Sequence, residues 1–279
     1  MKKILFCTAV ILVISFVSII ALDVFRGDSP EGRGVIITGF QSAILKEERE
    51  LIIRLPRLYD SAKRYPVFYV LDGSSLDRPI ADKLEVLSSL GYAPEGIVVG
   101  IPNMTAESRQ KNLVPPFMHT DQEDMNSAMG EGDRFLEFIE DEVIPFVNRQ
   151  YATTTRIFCG NSRGGLLVMY SLIHKPGLFD ARICFSTPFW REDDILIDRV
   201  ESFLSSAGSV NSFIFLSAGN NETVNIKGGL ERMTAVLNKN GISGITVRSY
   251  LTPGAVHADN AVLSSAQAID AWEKYRAAK

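Results

Sequence analysis

Gly160-Asn161-Ser162-Arg163-Gly164-Gly165 contains the pattern Gly-x-Ser-x-Gly. A chain of this length shows that pattern by chance about one time in ten, so the flanking sequence has to carry the reading. Arg156 to Cys159 reads as a strand ending at Gly160, and Leu166 onward reads as a helix. A serine between them lies on a sharp strand-to-helix turn, where crowded backbones demand small neighbours. Gly160, Gly164 and Gly165 meet that demand. The turn lifts the hydroxyl above the sheet, and the N-terminus of the following helix favours negative charge. This arrangement suits nucleophilic attack by Ser162. The plainer alternative is a glycine-rich connection that binds an anion or nothing.

A serine hydroxyl is a weak nucleophile near neutral pH and needs a base, usually a histidine oriented by a carboxylate. The chain has three histidines. His174 is near the end of the helix that starts at Ser162, about 18 Å along the axis, too far for a hydrogen bond. His119 lies in a long polar segment and reads as a solvated loop residue or a contact to substrate. His257 follows an expected strand (Ile245–Leu251) in a glycine-containing loop before the last helix, and it is the expected base. The acid should fall between Ser162 and His257, just after a core strand. Asp180 precedes a strand, and Glu231 falls inside a helix. Glu192, Asp193, Asp194, Asp198 and Glu201 belong to an exposed helix or lid. Glu222 follows the strand Phe213–Leu216 by a short loop and is the expected acid. A tetrahedral intermediate also needs backbone N–H donors. One falls to Arg163, the residue after the nucleophile, and the second to Gly73 or Ser74, after the strand Val67–Leu71. Asp72 opens that loop, either as a turn residue bonding its own backbone or in a catalytic role.

The elements that must position these groups follow from short apolar runs. Val67–Leu71, Ile97–Ile101, Ile157–Cys159, Ile183–Phe185 and Phe213–Leu216 are nearly unbroken, as in strands covered on both faces. Ile245–Leu251 alternates and suits an edge. Gly34–Leu45 and Glu50–Leu55 flank a charged turn and read as a hairpin. Helices are expected over Arg134–Val147, with a kink near Pro145, and over Leu166–His174, Leu230–Leu237 and Ala261–Arg276. The alternation predicts an α/β fold. Its central sheet is mostly parallel, with an N-terminal antiparallel hairpin and helices on both faces. The active site is expected at the carboxyl ends of the strands.

Composition narrows the alternatives. Apolar residues make up 46% and charged residues 22%, ordinary values for a globular domain. A net charge of −4 gives no footprint for nucleic acid. Three cysteines are too few for a disulfide scaffold, and no metal-ligand spacing is present. Neither a metal nor an organic cofactor is called for. Cys159 and Cys184 fall in core strands and read as small hydrophobes, with a bridge between them left open.

With these residues in place, the chain resembles the Putative esterase family of α/β-hydrolases. That family includes esterase D, enterobactin-type siderophore esterases, feruloyl esterases and mycolyltransferases. The matching pieces are ELIIRLPRLYDSAKRYPVFYVLDG, IVVGIPN with the nearby Arg109, FCGNSRGGLLVMYSLIHKPGLFDARICFSTPFW, SAGNNE and the terminal His257. They run in family order across nearly everything after residue 33. The resemblance implies an α/β-hydrolase domain over 34–279, with Ser162 as nucleophile, Glu222 as acid and His257 as base. It favours Ser74 as the second oxyanion donor beside Arg163. It departs from the family at Asn161 and Arg163, where many members carry histidine and an aromatic, and at Asn112, where relatives often have aspartate. The expected activity is hydrolysis of a small-molecule or glycan-linked carboxylic ester through an acyl-serine. The alternatives are acyl transfer to another alcohol and a catalytically silent binding protein on the same fold.

Lys2 and Lys3 precede an uncharged run from Ile4 to Leu22, about 29 Å long as a helix. Residues 1–22 therefore read as a retained signal anchor or a cleaved signal peptide, and 23–33 as a linker. Either reading delivers the domain outside the cytoplasm: periplasmic, membrane-tethered through the N-terminal segment, or secreted. Alkaline phosphatase fused after Arg33 should accordingly be active, since that reporter folds only outside the cytoplasm; an inactive fusion would reject export. Carbonate washing then separates the anchor, which stays in the membrane pellet, from the cleaved signal, which frees the protein.

Overall fold

The computed structural model describes residues 34–206, 209–239 and 244–279. The expected N-terminal segment, 1–22, and the linker, 23–33, lie outside the described residues. Among those described, no helix is long and apolar enough to cross a membrane.

Eight strands form one sheet: β1 (Val35–Gln41), β2 (Glu48–Arg54), β3 (Tyr65–Leu71), β4 (Ile97–Ile101), β5 (Thr153–Asn161), β6 (Ala181–Phe185), β7 (Ser212–Gly219) and β8 (Ile245–Thr252). Their order across the sheet is β1-β2-β4-β3-β5-β6-β7-β8. β2 runs antiparallel to β4, and every pairing from β4 through β8 is parallel. The charged turn folds back as expected, with the Ser42 N–H donating to the Glu47 carbonyl and Lys46 at φ 60. The first strand stops at Gln41, because the next residues are claimed by Glu142, which accepts from the Ser42 hydroxyl and the Ala43 and Ile44 N–H groups.

Side chains along the central strands alternate between two apolar layers, as the period of two requires. Val67, Tyr69 and Leu71 face one layer, whereas Phe68 and Val70 face the other. The first layer receives α3 (Gly132–Phe138), α4 (Ile144–Gln150), α5 (Arg163–His174), α6 (Arg191–Ser206) and α7 (Val224–Lys239). The opposite layer receives α1 (Gly73–Ser89) and α8 (Asn260–Ala277), where Trp272 packs edge-on against Phe68. A short α2 (Ala106–Asn112) follows β4. The kink expected at Pro145 takes the form of a π-helical turn, Ile139–Val143, between α3 and α4.

Cys159 and Cys184 settle the bridge left open above. Both are free and buried. They lie on neighbouring strands but in opposite apolar layers, so their side chains point away from each other across the sheet.

β3 leads outward to β4 in one direction, whereas β5 leads to β6, β7 and β8 in the other. The order reverses between β3 and β5. In an open parallel sheet, that is where the connections part and leave a crevice at the strand ends. Asp72 and Ser162 follow those two strands and flank the crevice.

Candidate active site

Ser162 joins β5 to α5 with φ 53 and ψ −120, a conformation that non-glycine residues rarely adopt. Its N–H donates to the Phe185 carbonyl at 2.8 Å, and its carbonyl accepts from the Gly165 N–H at 2.9 Å. A side chain at Gly160 would come within 2.5 Å of the Gly164 backbone, and one at Gly165 would collide with the Thr187 hydroxyl. The glycines thus let the helix start directly on top of the strand, with the serine raised between them.

The structure brings Ser162 together with both expected partners. His257 Nε2 lies 2.9 Å from Ser162 Oγ, and His257 Nδ1 lies 2.7 Å from Glu222 Oε2. A carboxylate can only accept, so Nδ1 carries the proton and Nε2 is left to accept from the Ser162 hydroxyl. The Glu222 side chain is 1% exposed, whereas that of His257 is 48% exposed. The acid is therefore sealed beneath the ring while the ring itself meets solvent. Burial pushes the Glu222 carboxyl upward, but hydrogen bonds from His257, Ser186 and the Gly219 N–H outweigh it and hold the group below the usual carboxylate range.

Two of those supports were not found from the sequence. The Ser186 hydroxyl donates to Glu222 Oε1 at 2.6 Å, and the Gly219 N–H donates to the same oxygen at 2.7 Å. Ser186 in turn accepts from Asn260 Nδ2, whose amide oxygen accepts from Thr252. Asn260 closely follows His257 in the chain and is fully buried at the start of α8. A buried asparagine so near the histidine was the available signal.

The expected oxyanion donors occupy comparable places. Arg163 is the first residue of α5, and Ser74 lies in the first turn of α1, so neither backbone N–H has an acceptor within its helix. Asp72 neither caps α1 with its side chain nor bonds its own backbone. Its carboxylate receives Arg109 in two parallel hydrogen bonds of 2.7 Å, and Asn103 Nδ2 in a third. Asp72 is itself in the left-handed region, φ 55, so the loop that presents Ser74 is held by a strained residue pinned from outside.

A cavity of about 540 Å³ opens over the serine, lined by Ser162, Arg163, Trp190, Arg191, Arg109 and His257 among others. Gln122, between α2 and α3, and Pro188, between β6 and α6, also line it. Arg163 makes no side-chain hydrogen bond or ion pair among the described residues; burial first, and then Arg191 and Arg109 nearby, lower its pKa. The other histidines stay apart from the serine. His174 stacks on Tyr170. The His119 backbone N–H donates to Glu192, its ring lies 3.3 Å from the same carboxylate, and its carbonyl accepts from Arg191. Among the described residues, no group of acidic, histidine or cysteine side chains could hold a metal ion.

This sheet, with a serine on the turn after β5 and a histidine and carboxylate after β8 and β7, defines the α/β-hydrolase fold. Residues 42–241 match the model of the Putative esterase family, and the chain belongs to that family, a family of carboxylic ester hydrolases. The siderophore enterobactin esterase of Emericella nidulans is 28% identical over 191 residues, covering 61% of this chain and 63% of that protein. The ferri-bacillibactin esterase BesA of Bacillus subtilis is 26% identical over 180 residues, 58% of this chain and 57% of its own length. The chain thus spans less than two thirds of each of these curated relatives. Among solved structures, the BES protein from Bacillus cereus superposes with a TM-score of 0.76 at 19% identity, covering 88% of this chain and 97% of that one. An IroE-like serine hydrolase from Shewanella oneidensis gives 0.75 at 26% identity, covering 86% and 80%.

A carboxyl held low when folded adds stability that is fully present above the unfolded value of about 4.3 and is lost as pH falls through the folded value. The melting-temperature gap between wild type and Glu222→Gln should therefore be widest above that pH and shrink below it. The same variant should lower kcat for ester hydrolysis by orders of magnitude. Near-full activity would mean a serine–histidine pair alone, or another carboxylate, with Asp198 the next to test.

Proposed function

We propose that the protein hydrolyses anionic carboxylic esters through an acyl-serine, with siderophore esters the first class to examine. The observation that carries the chemistry is the continuous hydrogen-bonded path from Ser162 through His257 to Glu222. Ser162 Oγ attacks the ester carbonyl while His257 Nε2 takes its proton. Glu222 stabilises the imidazolium that forms. The carbonyl oxygen, now negative, is received by the N–H groups of Arg163 and Ser74. The C–O bond to the alcohol breaks as His257 returns the proton to the departing oxygen. Water, deprotonated by the same nitrogen, then attacks the acyl carbon; the bond to Ser162 Oγ breaks, His257 returns the proton to that oxygen, and the carboxylic acid leaves.

The choice of anionic esters rests on Arg163. Asp72 pairs with Arg109, and Arg191 is tied to the His119 carbonyl, but Arg163 forms no direct ion pair, with Asp121 and Asp72 acting on it only from a distance. A partly buried guanidinium with no ion-pair partner attracts an anionic group on the substrate. The names of the relatives, esterases of enterobactin and ferri-bacillibactin, support the siderophore class. We propose, from the signal anchor or signal peptide expected over residues 1–22, that this activity is exerted outside the cytoplasm.

A fluorophosphonate probe should label the protein once, at Ser162. Arg163→Ala should raise KM for acidic esters about ten-fold or more, and leave kcat for neutral esters within a few-fold, because the oxyanion donor is backbone and survives the change. Equal losses on both kinds of ester would reject the recognition role and point to a disturbed turn.

A further inference from the structure

Once Ser162 Oγ has bonded to the ester carbon, three other substituents of that carbon need a place. The carbonyl oxygen turns to the Arg163 and Ser74 N–H groups, on the side of β3. The alcohol oxygen turns to His257 Nε2, on the side of β7 and β8. The acyl carbon must take a third direction, over one helical layer of the sheet or the other, and the cavity decides which. Gln122, Trp190 and Arg191 line it, from the segment before α3 and the segment leading into α6. Both helices pack on the layer of Val67, Tyr69 and Leu71, and Trp190 packs against the same layer. No residue of α1 or α8, on the opposite layer, lines the cavity. The acyl chain therefore runs along the wall made by Arg163, Gln122 and Trp190.

That wall is clasped. The His119 N–H donates to Glu192 at 2.7 Å, its ring lies 3.3 Å from the same carboxylate, and its carbonyl accepts from Arg191. One residue thus ties the two wall segments together. Glu192, Asp193 and Asp194 have φ of 49, 52 and 66, a left-handed run that residues with a side chain rarely adopt. Asp194 is secured by Arg232. Strain of this kind persists where the surroundings fix it, commonly at ligand clamps.

The walls differ in charge. Toward the alcohol the cavity meets Asn221, Thr223, Ile226 and Val256, and its only charged group there is Glu222, which His257 engages. On the acyl side, Arg191 is buried with Glu192 beside it, so its charge is answered within the wall. The Arg163 side chain lines the cavity with no hydrogen bond or ion pair among the described residues.

We infer that the clasped wall is the acyl subsite and that Arg163 reads an anionic group carried by the acyl half of the ester, the alcohol half being uncharged. The inference rests on the reading of the protein as an esterase of anionic substrates, and adds which half bears the charge.

The test compares monomethyl glutarate with 4-acetoxybutanoate, isomers that carry one carboxylate on opposite sides of the same ester group. Methyl pentanoate and butyl acetate, the neutral isomers with methyl in place of carboxylate, correct for the reversed ester itself. After that correction wild type should favour monomethyl glutarate in kcat/KM by about ten-fold or more, the effect of one charge-assisted hydrogen bond. Arg163→Ala should bring the corrected ratio to within about two-fold of unity. A corrected wild-type ratio near one, a preference for 4-acetoxybutanoate, or a preference that survives Arg163→Ala would each overturn the subsite. Because the wild-type ratio is itself decisive, a poorly folded Arg163 variant does not protect the inference. If both carboxylate esters were favoured equally over the neutral ones, the anionic reading would stand and the subsite alone would fall. No turnover of any ester together with no probe labelling at Ser162 would overturn the esterase reading, and the subsite with it.

Discussion

The site is organised around a carboxylate that has been taken out of water. An ionised glutamate with a side chain 1% exposed is tolerated only where donors replace its hydration. Glu222 has His257, Ser186 and the Gly219 N–H. Those donors come from the ends of three different strands or their following loops, so β6, β7 and β8 must finish at the same level for the charge to be satisfied. That requirement fixes the ring of His257, and the ring in turn fixes where the Ser162 proton can go. Asn260, Thr252, Ser217 and Ser264 form a buried hydrogen-bonded layer beneath, which ties α8 to the same strand ends.

A second brace holds the other half. The pair Asp72–Arg109 spans the crevice edge between the loop after β3 and α2. It keeps a non-glycine residue at positive φ, and with it the start of α1 that presents Ser74. The two braces differ in kind. The Glu222 cluster is buried and holds a proton acceptor ready, whereas the Asp72 pair is partly exposed and holds backbone geometry. Between them, beside the nucleophile, lies Arg163, a partly buried guanidinium with no ion pair among the described residues.

Much of this could be read in the chain, for physical reasons that can be named. The strands at the centre of the sheet are covered on both faces, so their apolar runs are unbroken and their order along the chain is plain. Ser162 and Glu222 each follow such a strand, and His257 follows the alternating edge strand β8, and those positions made them identifiable. The helix α1 went unread: Leu76, Ile80 and Leu84 carry its buried stripe at intervals of one turn, but Pro79 within it and the glycine and serines at its start obscure the pattern. Ser186 was also missed, because a hydroxyl that donates to the acid from the end of the neighbouring strand leaves no trace in local spacing, and Asn260, which donates to Ser186, was passed over although it lies close to His257 in the chain. The role of Asp72 was equally out of reach, since its partner Arg109 is brought to it only by the crossover from β3 to β4.

The account stands or falls on a covalent intermediate at one residue. Turnover of a p-nitrophenyl ester should be quenched in acid within the first catalytic cycles and the digested protein weighed. The account predicts one acyl group on the peptide containing Ser162, and no hydrolysis by the Ser162→Ala protein. An acyl group carried by a different residue, or an ester consumed at an undiminished rate after Ser162→Ala, would contradict it.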